Sequence, residues 1–468
     1  GRVDGDVLNF NDTKIGKQIF IQRLGDDLCY DRSTGKKIPR QTPRPYIALG
    51  PLIFPYIKFE HPELIRVRDW LAAQVITETK DAFPAVSASV GGIDFHFGTG
   101  GIHGSVDKQA VASDSVYGVY DIDVAALYPS IGIVNGLYPE HLGSGFVGIW
   151  KDIVAERKTH KKGTPENASL KLGSNGPYGE SNNAYSPLYD PQFTMTITIN
   201  GQLLLSMLAE RLIKVPTLQI IQINTDGITY RVMRVFEKWC EEIRSQWERD
   251  TGLVLEEARY SRMFIRDCNN YIAETEGTGK LKSKGAYWWP KTFDDISNAS
   301  PSAWYKDLSA PVIQQAAEAA MIRGIDPAVF IWSHTDPFDF MLRAKVDRSS
   351  QLFIGDKQVQ RITRFYIAKN GGPMRKVSPP APGHKEGEYK KSPKVSDAEY
   401  YQVMREIGPG VWDARIHTAK KTVHGERETG YSGTTGWLVA ECNVATDFDW
   451  NNLNRDYYIQ EARKLVIE

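Results

Sequence analysis

Cysteine is scarce in this chain. Four occur in 468 residues, Cys29, Cys240, Cys268 and Cys442, and none belongs to a CxxC pair, which argues against a zinc knuckle or a disulfide framework and fits a reducing cytoplasm. Long apolar runs are missing too. No stretch of about 18 or more apolar residues, no signal-peptide pattern and no low-complexity tract occurs, so neither membrane insertion nor export is expected. Charge of one sign is not in excess, because 57 Lys and Arg balance 57 Asp and Glu. A neutral chain exerts no blanket attraction on nucleic acid, so any DNA-binding field has to be regional. The composition is that of a soluble globular protein, and the length calls for several subdomains, since single cores rarely grow beyond about 250 to 300 residues.

The stretch YDIDVAALYPSI, residues 120–131, carries the most information. Residues 116–124 are β-branched and aromatic and read as an inner strand that delivers Asp123 to its end, where Pro129 sets the turn. A carboxylate fixed at a strand end can hold a divalent cation, but one alone makes a weak site. The chain supplies another in TLQIIQINTDGITYRV. Two β-rich runs there flank Asn224, Thr225, Asp226 and Gly227 in the pattern of a tight hairpin with Asp226 at its tip. Two hard oxygen ligands from separate strands, completed by backbone carbonyls and phosphate oxygens, are what a pair of Mg²⁺ ions needs for phosphoryl transfer.

DIDVAALYPSI resembles motif A of the family B DNA polymerases, usually DxxSLYPSI, and NTDG resembles their motif C, usually DTDS. Between them KLGSNGPYG, residues 171–179, resembles motif B, KxxxNSxYG. The three stand in the family's order, whereas any one alone would be a weak match. The resemblance implies an α+β right-hand polymerase fold, with a palm of antiparallel sheet plus helices, short helical fingers and a thumb. It implies a DNA-directed DNA polymerase that adds deoxynucleotides to a primer 3′-hydroxyl, in phage DNA replication in the host cell cytoplasm. Its partners would be primer-template DNA and dNTPs, and its cofactors two Mg²⁺ ions, with Mn²⁺ as a substitute. The family's proofreading exonuclease carries DxE-type acids, none of which occurs in the first 112 residues, so a separate exonuclease domain or subunit is expected. The start, GRVDGD, lacks methionine and reads as an excised domain or a processed subunit.

On this reading residues 1–112 form a scaffold on the template side, 113–146 and 183–290 the palm, 147–182 the fingers, and 291–468 the thumb with a C-terminal extension. In the first region residues 47–57 read as a buried strand, and a helix follows Pro62 with Leu64, Trp70, Leu71 and Val75 as its apolar positions. The segment FGTGGIHGSV stands where the family has a YxGG template-binding loop. Gly100 and Gly101 are there either for a DNA contact or for a structural turn. In GIWKDIVAERKTHKK, Arg157 and Lys161 are four apart and share a helix face. A solvated charged face is the plain reading, and a grip on the β- and γ-phosphates is the one the family implies. Residues 200–214 read as a helix covering the palm sheet, and residues 234–249 as another. NNYIAETEGTGKLKSKGAYW resembles the primer-contacting KxY region and the KG after it. Asn269 and Asn270 replace the lysines, so Tyr271, Lys284 and Gly285 alone carry over. Residues 343–427 hold 18 Lys and Arg against 9 Asp and Glu, a DNA-facing composition. Residues 378–394 read as a mobile basic loop, with a solubilising loop as the competing reading.

The resemblance implies that Asp123 and Asp226 hold both ions, with the Val124 carbonyl as a further ligand. Arg157 and Lys161 then bind the departing phosphates, and Lys171 protonates or neutralises the leaving group. Tyr128 matches the steric gate against a ribose 2′-hydroxyl, and Asn175 and Tyr178 border the nascent base pair. Two positions depart from the pattern: Asn224 replaces the first acid of DTD, and Ala126 the serine of SLYP. Asp121 reads as a structural acid, or as one that compensates for Asn224. A catalytically silent DNA-binding subunit is the first alternative, and the retained Asp123, Asp226, Lys171 and Arg157 argue against it. A primase or RNA polymerase on a palm fold is disfavoured by Tyr128, and a reverse transcriptase by the lack of adjacent aspartates.

Overall fold

The β-branched run around Asp123 does form a strand, and it lies in the middle of a sheet. The computed structural model describes residues 12–80, 82–289, 309–379, 400–408, 411–418 and 427–468. The start of the chain and most of residues 378–394 lie outside the described residues, as do parts of the basic region 343–427. The chain divides into two compact units, whose described residues run to Lys282 in the first and from Ser283 in the second.

The first unit is built on an antiparallel sheet whose strands are β1 (Val86–Val90), β2 (Ile93–Gly98), β3 (Gly101–Ser105), β4 (Gln109–Ala112), β5 (Tyr117–Val124), β6 (Gln219–Asn224), β7 (Gly227–Met233), β8 (Leu255–Asp267), β9 (Asn270–Thr275) and β10 (Leu281–Lys284). Their order is β10-β9-β8-β5-β7-β6-β3-β2-β1, with β4 also paired to β8. Every pairing among β1 to β9 is antiparallel. Alternation along β5 sends Tyr120, Ile122 and Val124 into the main core, where Ile228, Tyr230 and Val232 of β7 join them. Asp121 and Asp123 fall on the opposite face. That opposite face carries a smaller apolar cluster of Val111, Val119, Ile221, Tyr260, Met263, Ile265, Tyr271 and Ala273, with the two acids beside it.

The helices of this unit are α1 (Asp12–Leu24), α2 (Pro62–Ala72), α3 (Leu127–Val134), α4 (Gly145–Thr159), α5 (Pro165–Glu180), α6 (Pro191–Leu212) and α7 (Glu237–Thr251), apart from one short turn. α6 is almost wholly buried. It begins nine residues before the sequence pattern placed it and ends at Leu212. Asp190 caps it by accepting from the Gln192 and Phe193 amides, and Thr196, Thr198, Asn200, Gln202 and Ser206 each donate to the carbonyl four residues back. Buried polar side chains satisfied in this way no longer oppose burial. α4 and α5 form an antiparallel hairpin anchored by Phe146, Trp150 and Ile153, all fully buried. The Trp150 indole donates to the Ser174 carbonyl at 2.7 Å.

Three local expectations are corrected. Residues 47–57 contain only the two-residue strand Ile47–Ala48 and then a 3₁₀ turn, Gly50–Leu52, because Pro51 and Pro55 cannot extend a ladder. Val75 is not part of α2, which stops at Ala72; it pairs with Ala48. Residues 234–236 form a 3₁₀ turn ahead of α7.

The second unit contains a three-stranded sheet (Leu342–Lys345, Ile362–Ala368, Leu438–Glu441), a four-stranded one (Lys357–Val359, Gln351–Ile354, Met374–Ser378, Arg427–Gly430) and the hairpin Tyr400–Gly408 with Val411–Thr418. Helices Pro311–Arg323 and Arg455–Leu465 share its core with Phe340, whose carbonyl accepts from Tyr458 at 2.7 Å. Among the described residues no helix is long and apolar enough to cross a membrane.

Candidate active site

The expected hairpin forms as read. Asn224 pairs with Gly227 to close a two-residue turn of Thr225 and Asp226, with Thr225 at φ +50°. Antiparallel register then sets Gly227 opposite Asp123, and the Val124 amide donates to the Asp226 carbonyl at 2.7 Å. Two acids 103 positions apart in sequence therefore meet at one end of β5 and β7. Glycine at 227 leaves room for the Asp123 carboxylate, which a methyl group on its Cα would displace. The same transverse row continues through Asn224, His103, His96 and Ser87 on one side and Glu256 on the other.

Asn224 has its own task. Its Nδ2 donates to the Cys268 carbonyl at 2.8 Å, and its Oδ1 accepts from Thr225 at 3.1 Å. The side chain ties the hairpin tip to the turn between β8 and β9. An aspartate could not donate to that carbonyl. Asn224→Asp is therefore expected to lower unfolding stability by roughly 1 to 3 kcal/mol, the cost of an unmatched part-buried polar pair. Denaturant midpoints of the two proteins measure it.

Asp121 sits one pleat below Asp123 and is 4% exposed. It accepts from Thr229 Oγ1 at 2.6 Å, from the Tyr260 hydroxyl, and from Lys282 Nζ at 3.0 Å. Its acceptors are thus occupied by structural partners, which favours the structural reading over compensation for Asn224. Burial disfavours the Lys282 charge, but Asp121, Tyr271 and Tyr260 more than offset it and hold its pKa above the ordinary lysine range. The Lys282 side chain is 37% exposed, so breaking the pair from one side costs less than the roughly 3 to 5 kcal/mol of a fully buried pair.

Lys284 is the lysine that the motif resemblance selects, but Lys282 is the one that meets an acid. Alternation in Leu281, Lys282, Ser283 and Lys284 puts the two lysines on one face of a strand, yet nothing local says which one meets an acid. The division between the units falls within β10, after Lys282, so Lys284 and Gly285 count with the second unit, and Gly285 opens a 3₁₀ turn at φ +59°.

Tyr128 on α3 stacks on Tyr178 of α5, with ring centroids 3.8 Å apart and planes 15° from parallel. The Tyr178 hydroxyl shares a hydrogen bond with Thr198 of α6 at 2.9 Å. Burial first, then the Tyr178 hydroxyl and the Asp226 charge, push the Tyr128 pKa far up, so its hydroxyl stays protonated at physiological pH. On α5, Lys171 and Asn175 are exposed and Tyr178 half-buried; spacings of four and three put them on one face.

Arg157 is on α4, but Lys161 is not, because the helix ends at Thr159 and His160 is extended. The shared helix face expected for the two is corrected: Lys161 projects from the loop joining α4 to α5. Asn167 holds that loop, donating to the carbonyls of Arg157 at 3.1 Å and His160 at 2.9 Å. Lys162 in the same loop comes within 4.0 Å of Glu256, the register neighbour of Asp123. Both groups are exposed, so the pair is worth about 0 to 1 kcal/mol. It locates the loop over the acidic end of the sheet more than it holds it there.

Gly100 lies in the turn between β2 and β3, and Gly101, at φ +142°, pairs with Gly98. The Thr225 amide donates to the Ile102 carbonyl at 2.9 Å, so this glycine turn borders the hairpin. Tyr271 is 4% exposed and packs with Val119, Tyr260 and Met263.

One close packing was not legible. Gly16 of α1 lies against the Leu172 carbonyl of α5, where a methyl would come to 2.5 Å, and Gly176 faces Gly16 in turn. Gly176, where the resembled motif has serine, lets α1 cover the back of α5.

Asp123 at the end of β5 and Asp226 in the adjoining hairpin turn offer hard-oxygen donors of the kind that suits Mg²⁺. Among the described residues no three His, Cys, Asp or Glu side chains converge, so water and substrate oxygens would complete any shell. No protein-family model and no curated protein matches the chain.

Proposed function

We propose that this chain is a template-directed DNA polymerase of the family B type, with the first unit contributing a palm and short helical fingers and the second a thumb. The observation that carries the reading is the meeting of Asp123 and Asp226 at one end of β5 and β7, fixed by the Asp123–Gly227 register and the Val124 to Asp226 hydrogen bond. The Tyr128–Tyr178 stack and the exposed Lys171 and Asn175 support it. Two Mg²⁺ ions held by Asp123, Asp226 and the Val124 carbonyl would lower the pKa of the attacking hydroxyl and neutralise phosphate charge. Arg157 and Lys161 bind the β- and γ-phosphates, and Lys171 meets the charge that grows on the leaving pyrophosphate. Tyr128 lies against the sugar, and Asn175 and Tyr178 border the new base pair. Lys284, Gly285 and the turn at Gly100 and Gly101 contact primer and template, whereas Tyr271, expected to do so, is buried and serves the packing of the sheet instead. Positioning and electrostatics supply most of such a catalysis.

Extension of a labelled DNA primer on a DNA template, with Mg²⁺ and dNTPs, tests the reading. Template-matched addition is expected, and binding without addition would identify a silent DNA-binding subunit instead. Lys171→Ala is expected to lower kcat by roughly 10- to 100-fold, since it meets charge that develops only in the transition state. Arg157→Ala and Lys161→Ala should mainly raise KM for the nucleotide. Single-turnover kinetics separate the two effects, and unchanged nucleotide kinetics with weakened DNA binding would make the α4–α5 hairpin a DNA-binding arm.

A further inference from the structure

The corner that holds Asp123 also holds a fixed cation. Lys282 Nζ lies 3.0 Å from Asp121 Oδ2, 3.1 Å from the Tyr260 hydroxyl and 3.9 Å from Asp123 Oδ2. An ammonium group has three donors in a tetrahedral arrangement. Asp121 and Tyr260 engage it from the buried side, and Asp123 stands at ion-pair distance on the other. Asp121 is itself fixed by Thr229 and Tyr260, so the sheet sets the position of this charge. On the opposite flank, position 224 adds no acid, and its amide is committed to the Cys268 carbonyl.

We propose that Lys282 is a positioning residue that competes with a divalent cation for Asp123, so that the nucleotide-free site binds the cation weakly and gains it together with the anionic triphosphate. The proposal rests on the reading of Asp123 and Asp226 as a cation site. Asp121 works in the opposite sense. By holding the ammonium on its own side it limits the screening of Asp123, and removing it alone hands Lys282 to Asp123. The triphosphate supplies negative charge that offsets the Lys282 ammonium, which couples cation loading to nucleotide binding.

The test is a titration of the full chain with Mn²⁺ alone, without nucleotide or DNA, reading free Mn²⁺ by electron paramagnetic resonance. Wild type should bind weakly, and Lys282→Met should bind about tenfold more tightly, the effect of removing one charge a few ångströms from a divalent ion in a half-exposed site. Lys282→Arg should stay near wild type, and Asp121→Asn should weaken binding. Lys282→Met leaves Asp121 buried without its cation, so the double variant Asp121→Asn/Lys282→Met, in which neither charge is orphaned, is measured with it. It should bind more tightly than wild type though less tightly than Lys282→Met. A role in folding alone predicts altered melting with one unchanged Mn²⁺ affinity throughout. That result, with binding still abolished by Asp123→Asn, overturns the role of Lys282 and leaves the acid pair standing. Binding that survives Asp123→Asn, or is absent from every variant, overturns the acid pair and this proposal with it.

Discussion

If the chain is the proposed polymerase, Asp226→Asn and Asp123→Asn are each expected to lower nucleotide addition by at least roughly 10³-fold while primer-template affinity stays within a few-fold of wild type, because on that reading the acids serve the chemistry more than docking. Asparagine keeps the size and one oxygen of each side chain but removes the charge that a divalent cation needs. The hairpin should survive either change, since it is held by backbone register and by the Val124 amide on the Asp226 carbonyl, neither of which uses the carboxylate. Gly227→Ala offers an independent route to the same end. Its methyl group would occupy the place of the Asp123 carboxylate, so activity should fall steeply with both acids chemically intact. Substantial extension by Asp226→Asn at saturating Mg²⁺ would refute the assignment, and full activity of Gly227→Ala would show that Asp123 does its work in another position.

On the proposed polymerase reading, Tyr128→Val is expected to raise the ratio of ribonucleotide to deoxynucleotide incorporation by on the order of 10²-fold, because discrimination by a clash disappears with the clashing group. The ring is held flat by its stack on Tyr178, and Tyr178 is anchored on Thr198, so the aromatic wall is rigid before any substrate arrives. Losing the stack costs about 0.5 to 1.5 kcal/mol, a modest loss of stability and of deoxynucleotide binding. Tyr178 keeps its own hydrogen bond, which should preserve the rest of the pocket. Matched incorporation kinetics for both sugars decide the matter. An unchanged ratio with both efficiencies reduced would mean that Tyr128 serves packing alone.

Much of the first unit could be read from local signals. The β-branched run before Asp123, the turn residues at Asn224 and Gly227, and the proline that opens α2 each specify a local conformation through their own backbone preferences. Other parts misled for physical reasons. The TMTITI stretch lies before the helix expected over residues 200–214, and it is helical because burial on all sides and hydrogen bonds back along the helix outweigh the weak preference of β-branched residues. Arg157 and Lys161 have helical spacing, yet the helix stops between them.

The sequence by itself determined which residues share a face, because side-chain alternation is a property of the strand alone: Asp121 and Asp123 had to point the same way, and Asp226 had to sit at a turn. Only the tertiary structure decided whom they meet. Asp123 faces Gly227 through strand register, and Asp121 meets Lys282 across 161 positions. Pairings of that span leave no local trace, since the partner of a strand is chosen by how the whole core packs, and a shift of one residue would have sent every acid to the other side of the sheet.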